Sequence, residues 1–355
     1  MTAKTALTLS LALASAAAPA IAQDLKPTSI TINDQTRVGY YWLYLPETQG
    51  WWADEGIDME VINVTQSVQA LQQVVAGRAD FAQLGAGNII QANAQENLDA
   101  QIAMMNGVFA WKIGVPADGD IESASDFAGK ALGVYDIAAN GNMFLKPFFE
   151  NAGISMDDVT LVPVGYGASA LNALENGDVA GLYYWPSAFT SYEANGSEFD
   201  YLASTDWARY PDYSVMTMGD VVERDPDLVV GTIRGMAKAW LFASTNPECA
   251  VKAFWNAYPD AKPVDMSDEA ALAQDVSILR AQLSEYDGAM DVFGDNIGAV
   301  TPEAMGDLQD LLISSGQLAE AGDTSGMVVS IPGFFDKVND FDKAAIRASA
   351  EACDL

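Results

Sequence analysis

Two aromatic triplets, Tyr40-Tyr41-Trp42 and Tyr183-Tyr184-Trp185, carry the strongest chemical signal in the chain. Rings of this kind hold flat ligands by stacking, at about 0.5–1.5 kcal/mol beyond their area burial, and more strongly where the ligand is a desolvated cation. Polar residues placed in loops after strands complete the picture. Asp34, Tyr40, Trp42, Ser67, Asn88, Trp111, Asp136, Asn140, Tyr184, Trp185 and Tyr213 form the candidate ligand-binding set. Asn140-Gly141-Asn142 precedes a helix, whose N-terminal amides would suit a carboxylate, a sulfonate or a ring oxygen. Core packing competes for each aromatic, because alternate strand residues point inward. An N-cap role competes for Ser67, which opens a helix.

Covalent chemistry finds little support. The 355 residues include no His, so no Ser-His or Cys-His pair and no histidine base can form, and G-x-S-x-G is absent. No catalytic residue is assigned. The chain is read as a binding protein and not an enzyme, with an exported enzyme using carboxylates as the rival. Zinc is disfavoured by the missing His and by only two, widely separated Cys, so no metal or cofactor is expected. Gly165-Tyr166-Gly167-Ala168-Ser169-Ala170 fits the dinucleotide pattern G-x-G-x-x-A. It does not sit in the first βα unit of its lobe and lacks the acidic partner about 20 residues on, so it reads as a tight turn aiming helix amides at a cleft.

Seventeen Lys+Arg stand against 49 Asp+Glu, a net charge of −32. Such a polyanion repels nucleic acid and anionic membranes and reads as a solvated acidic surface. Arg37 and Lys112 are the cations of the first lobe placed near expected cleft loops. The wealth of rings and acids favours a neutral or weakly basic nitrogen heterocycle over a small anion. Residues 1–22 read as a signal peptide: Lys4, an apolar run from Ala6 to Ala18, and Ala20-Ile21-Ala22 as the cleavage site. That leader implies export to the periplasm, where Cys249 and Cys353 could pair or remain free.

The elements that must hold these residues alternate. Strands at Ser29–Ile32, Ile57–Val64 and Ala79–Leu84 flank helices at Glu47–Glu55 and Ser67–Ala76. The rhythm restarts with strands at Lys130–Tyr135, Val159–Val164 and Val179–Trp185 and helices at Met143–Ala152 and Ser169–Asn176. Alternation of this kind gives a mainly parallel sheet covered by helices. The stretch Ala70–Asp80 is echoed by Ala170–Ala180, each a helix, a terminating Gly and a strand, which points to two equivalent lobes. From Asp225 onward the pattern is helical.

Gly50-Trp51-Trp52-Ala53-Asp54-Glu55-Gly56-Ile57-Asp58-Met59-Glu60, the helix–Gly–strand unit of Ala70 to Phe81, Gly129-Lys130-Ala131-Leu132-Gly133-Val134 and Asp225-Pro226-Asp227-Leu228-Val229 run in order along the chain. Together they resemble the NMT1/THI5-like periplasmic binding proteins, the receptors of ABC importers for sulfonates, taurine, nitrate and thiamine-type pyrimidines. The resemblance implies a type II periplasmic binding protein fold: two α/β lobes joined by a two-strand hinge and closing on ligand. On this reading residues 23–112 plus 216–355 form lobe 1 and 113–215 form lobe 2. The implied function is capture of a small molecule, an aromatic or pyrimidine-like compound, for an inner-membrane ABC permease with its ATPase, by a monomeric receptor. An organosulfonate or other small anion is the alternative ligand. The fungal pyrimidine synthases, the enzymatic branch, depend on a histidine and a cysteine-rich motif that this chain lacks.

Overall fold

The computed structural model describes residues 25–355, so the leader read over residues 1–22 lies outside the described residues. In chain order the first half contains β1 (Lys26–Ile32), α1 (Tyr41–Thr48), α2 (Trp51–Asp54), β2 (Ile57–Asn63), α3 (Ser67–Val75), β3 (Phe81–Gly85), α4 (Ala86–Glu96), β4 (Ala100–Met105) and β5 (Lys112–Pro116). There follow β6 (Ala131–Val134), α5 (Leu145–Asn151), β7 (Thr160–Pro163), α6 (Ala168–Glu175), β8 (Gly181–Tyr184), α7 (Pro186–Ala194), β9 (Phe199–Leu202) and β10 (Tyr213–Met218). The remainder is helical: α8 (Gly219–Arg224), α9 (Pro226–Thr245), α10 (Pro247–Ala257), α11 (Asp268–Phe293), α12 (Pro302–Ser314), α13 (Phe334–Val338) and α14 (Lys343–Ala352).

The strands form two five-stranded sheets of the same design, β2-β1-β3-β10-β4 and β7-β6-β8-β5-β9. The first three strands of each are parallel, and the fourth, β10 or β5, runs antiparallel to both its neighbours. Each antiparallel strand is reached by a segment crossing from the other sheet. The echoed stretches Ala70–Asp80 and Ala170–Ala180 lead into β3 and β8, which hold the same third place in their sheets. The two crossing segments run side by side: Val108 bridges Pro211, and Phe109 N–H donates to the Tyr210 carbonyl at 2.9 Å. This is the two-strand hinge. Lys112 already pairs in the second sheet and Tyr213–Val215 in the first, so each crossing precedes residues 112/113 and 215/216 by a few positions.

Local rules explain the helix starts. Asp225, Asn246 and Thr301 each accept a backbone N–H three residues on, and each is followed by a proline in the first turn of α9, α10 or α12. Cys249 and Cys353 are disulfide-bonded, with Cα atoms 5.5 Å apart, tying the end of α14 to α10.

Some expected boundaries move. The helix expected over Glu47–Glu55 is two, and α1 begins at Tyr41, so Tyr41 and Trp42 are helical rather than in a loop. Trp111 sits in the first crossing, just before β5. α11 runs unbroken from Asp268 to Phe293.

Candidate functional site

The carboxyl ends of β1 and β3 face those of β6 and β8 across a cleft, the usual ligand position in open α/β sheets. A cavity of about 60 Å³ lies there. Such a volume suits one small molecule or a few waters. Of the residues singled out by sequence, Asp34, Tyr40, Ser67, Asn88, Trp111, Asn140, Trp185 and Tyr213 line it.

Three others do not. Trp42 is fully buried in the first-lobe core, its indole N–H donating to Gln83 Oε1 at 2.8 Å. Its ring packs against that of Tyr40, centroids 5.4 Å apart, on the core side. Tyr184 points into the opposite face of its sheet from the cleft, packs with Tyr192 and Phe189, and donates its hydroxyl to the Gly165 carbonyl. Asp136 stays outside the cavity lining. Burial raises its pKa, opposed by the amides of Ala138 and Ala139 and the Ser67 hydroxyl. Nor does Ser67 cap its helix: the N-cap is Gln66, and the Ser67 hydroxyl accepts from Asn33 Nδ2 at 3.0 Å.

Sequence reasoning missed Asn33, Tyr135, Asp212, Gln282 and Glu285, which also line the cavity. Asn33 is a hub. It accepts the Tyr213 hydroxyl on Oδ1 at 2.9 Å and the Tyr135 hydroxyl on its carbonyl at 2.7 Å. Its position directly after β1 was the available signal. Gln282 and Glu285 come from mid-helix in α11, where no pattern in the chain separates them from solvent-facing polar residues.

The lobes are closed on one another. Tyr135 reaches Asn33, Asn88 Nδ2 donates to the Ala138 carbonyl at 3.2 Å, and the Ser187 hydroxyl meets Gln282 Oε1 at 3.1 Å. Asn140 forms the centre of the seam: its Oδ1 accepts Gly87 N–H at 3.1 Å, and its Nδ2 donates to Asp212 at 2.6 Å. A Cβ placed on Gly85 would lie 2.1 Å from the Asn140 side chain, so the chain needs hydrogen there. Arg37 pairs with Asp34 at 2.7 Å and lies over the Tyr166 ring, 3.6 Å from its centroid, bridging the lobes above the cavity. Lys112 instead covers Tyr201, remote from the cavity lining. The Gly165–Ala170 turn offers no free amide at Gly167, whose N–H donates to the Tyr192 hydroxyl at 3.1 Å.

The titratable side chains lining the cavity are acids and tyrosines, Asp34, Asp212 and Glu285 with Tyr40, Tyr135 and Tyr213. Asp212 is buried, and burial pushes its pKa up to about 7 although Asn140 and the Trp111 indole donate to it. Glu285 is buried as well, and burial together with the nearby Asp212 charge drives it well above the usual carboxylate range. No lysine or arginine lines the cavity among the described residues. Rings of Tyr40, Trp111, Tyr135, Trp185 and Tyr213 supply the walls. The arrangement can clasp a flat compound and accept hydrogen bonds from it. Among the described residues no cluster of His, Cys, Asp or Glu could hold a metal ion, and no helix is long and apolar enough to cross a membrane.

A family model described as NMT1/THI5 like matches residues 40–250. A Brucella abortus protein named as a binding protein is 26% identical over 241 residues, 64% of this chain and 72% of the relative. The formylaminopyrimidine-binding protein of Halalkalibacterium halodurans is 21% identical over 229 residues, 64% and 69% of the two chains. Among solved structures, the periplasmic aliphatic sulphonate binding protein of Escherichia coli superposes with a TM-score of 0.63 at 12% identity, covering 88% of this chain and 99% of its own. The similar structures are for the most part binding proteins, with the desulfurization enzyme DSZB among them at a TM-score of 0.54 and 15% identity, covering 88% of this chain and 99% of that one.

Proposed function

This chain belongs to the NMT1/THI5-like family, and from that premise we propose that it is a periplasmic solute receptor that captures a small aromatic or nitrogen-heterocyclic compound and delivers it to an ABC importer. One observation carries the reading: a cavity closed between two matching α/β lobes, walled by five aromatic rings and free of lysine and arginine in its lining. The open form takes ligand onto one lobe, the rings stack it, and rotation about the paired crossings brings Asn140 onto Gly87 and Asp212. The closed form then docks on the membrane permease with its ATPase. The segment up to the first crossing together with β10 and all that follows it acts as one lobe and β5 to β9 as the other, the leader is removed after Ala22, and the mature protein works as a monomer that binds without turnover. The relative named for formylaminopyrimidine supports the ring class.

The similarity to sulphonate-binding structures favours an organosulfonate as the second reading. It ranks behind because Asp34, Asp212 and Glu285 line the cavity and would repel an anion unless protonated. Native mass spectrometry of gently purified protein, followed by denaturing release, tests the proposal. A stoichiometric ring compound supports it; a released sulfonate selects the second reading. An empty protein that also ignores both classes in a thermal-shift screen sinks the receptor assignment.

A further inference from the structure

The carboxylates at the floor of the cavity do more than line it. Glu285 is 6% exposed, Gln282 Nε2 approaches its Oε2 at 3.3 Å, and its buried Oε1 has no hydrogen-bond partner. Beside it, Asp212 is 4% exposed and receives only the Trp111 and Asn140 N–H groups. Burying two acids together is costly unless something compensates, because each loses hydration and each charge opposes the other. The groups that face them are named readily. Around Glu285 stand Asp212, Gln282, the Ser187 amide and the Tyr41 hydroxyl; around Asp212 stand Asn140, Trp111, Tyr183 and Tyr213. Asp34, Tyr40 and Tyr135 complete the titratable lining. Arg37, the cation above the cavity, is engaged by Asp34. Nothing in this shell neutralises Glu285 or Asp212.

We propose that the ligand itself supplies the missing charge: the cavity takes a planar nitrogen cation, an amidinium or protonated amino-heterocycle, with its N–H groups on Glu285 and Asp212 and its ring between the aromatic walls. The inference rests on the receptor reading and narrows its ligand class. A planar N–H fork satisfies the orphaned Oε1 and bridges to the neighbouring carboxylate, as charge-assisted pairs do. Rings of Trp111, Trp185 and Tyr213 around a desolvated cation add cation–π attraction. A neutral N–H compound could pair with Oε1 but would leave the carboxylate charge uncompensated, and an anion would face two acids.

Binding must then expel protons, because the empty pair is held partly protonated near neutrality and the bound pair is ionised. Isothermal titration with benzamidine and with benzamide, its neutral counterpart of the same shape, tests this. At about pH 8 benzamidine should bind at least about tenfold tighter than benzamide, and its affinity should fall by up to about tenfold per pH unit below about pH 7 for each proton released. Benzamide should show no such slope. Glu285→Gln keeps the shape, should leave the thermal midpoint unchanged or higher, and should abolish most of the preference while lowering the slope by the proton that Glu285 released. Equal binding of the two probes, or a cation preference that survives in folded Glu285→Gln, overturns the inference while ring capture stands. If neither probe binds but a neutral or anionic compound is released in the native mass experiment, the inference again falls alone. If neither binds and nothing is released or found by screening, both readings fall.

Discussion

Closure of the cleft hangs on hydrogen at Gly85. Its backbone, φ −69° and ψ 140°, is one that alanine adopts freely, so Gly85→Ala adds a methyl and no torsional strain. That methyl would stand 2.1 Å from both Cβ and Cγ of Asn140, whereas carbon atoms rest at about 3.5–4 Å. Asn140 has nowhere to go, being 6% exposed and tied to Gly87 and Asp212. The second lobe must therefore retreat by more than an ångström, which breaks both hydrogen bonds. The neutral one is worth about 0.5–1.5 kcal/mol and the one to a carboxylate about 1.5–3, so the closed form loses roughly 2–4 kcal/mol. A loss of that size shifts the open–closed equilibrium by roughly 30- to 1,000-fold and weakens ligand binding by a similar factor wherever closure is required. In the open form the methyl faces solvent, so the ligand-free melting temperature should barely move. Small-angle scattering with and without ligand, paired with calorimetric titration, gives the readout. A Gly85→Ala protein that compacts on ligand and binds with the parent affinity would refute this account of the seam.

Further outcomes can be stated briefly. Trp185→Ala should weaken ligand binding by more than about tenfold with a small stability loss, whereas Trp42→Ala should cost about 3–5 kcal/mol of folding stability, read by chemical denaturation, because it empties a core site. Cys353→Ser removes a bridge across 104 residues and should lower stability by about 2–4 kcal/mol, with faster amide exchange in α14 if the tail is released. Asp212 and Asp275 have folded pKa values raised by burial to about 7 and about 6, so between the ordinary Asp value and those values the folded chain holds more protons than the unfolded chain. Stability of the ligand-free protein should therefore fall as pH rises from about 4 to about 7, the reverse of the usual carboxylate trend, and Asp212→Asn should flatten that slope.

The chain announced much of this before any coordinates. Alternating apolar strands and Gly-terminated helices, repeated at Ala70–Asp80 and Ala170–Ala180, declared two α/β lobes, because period and turn chemistry are local properties. Residues closely following strands, Asp34 after β1, Asn88 after β3 and Trp185 after β8 among them, could be placed near a cleft for the same reason: strand ends of such sheets converge there. Other properties were never local. Trp42 and Tyr184 looked like their neighbours Tyr40 and Trp185 and pack against them, yet helix and strand geometry seats both rings in the core, outside the cavity lining. Cys249 and Cys353 could not be paired until helix packing brought their Cα atoms to 5.5 Å. Above all, Glu285 reads as one acid among 49 on a long polar helix. Only the docking of α11 behind the hinge strips its water, sets it beside Asp212 in the cavity lining and leaves one of its oxygens without a partner. Sequence determined the lobes and the strand-end positions; desolvation and contact across the lobes, which exist only in the folded chain, decided which side chains line the cavity.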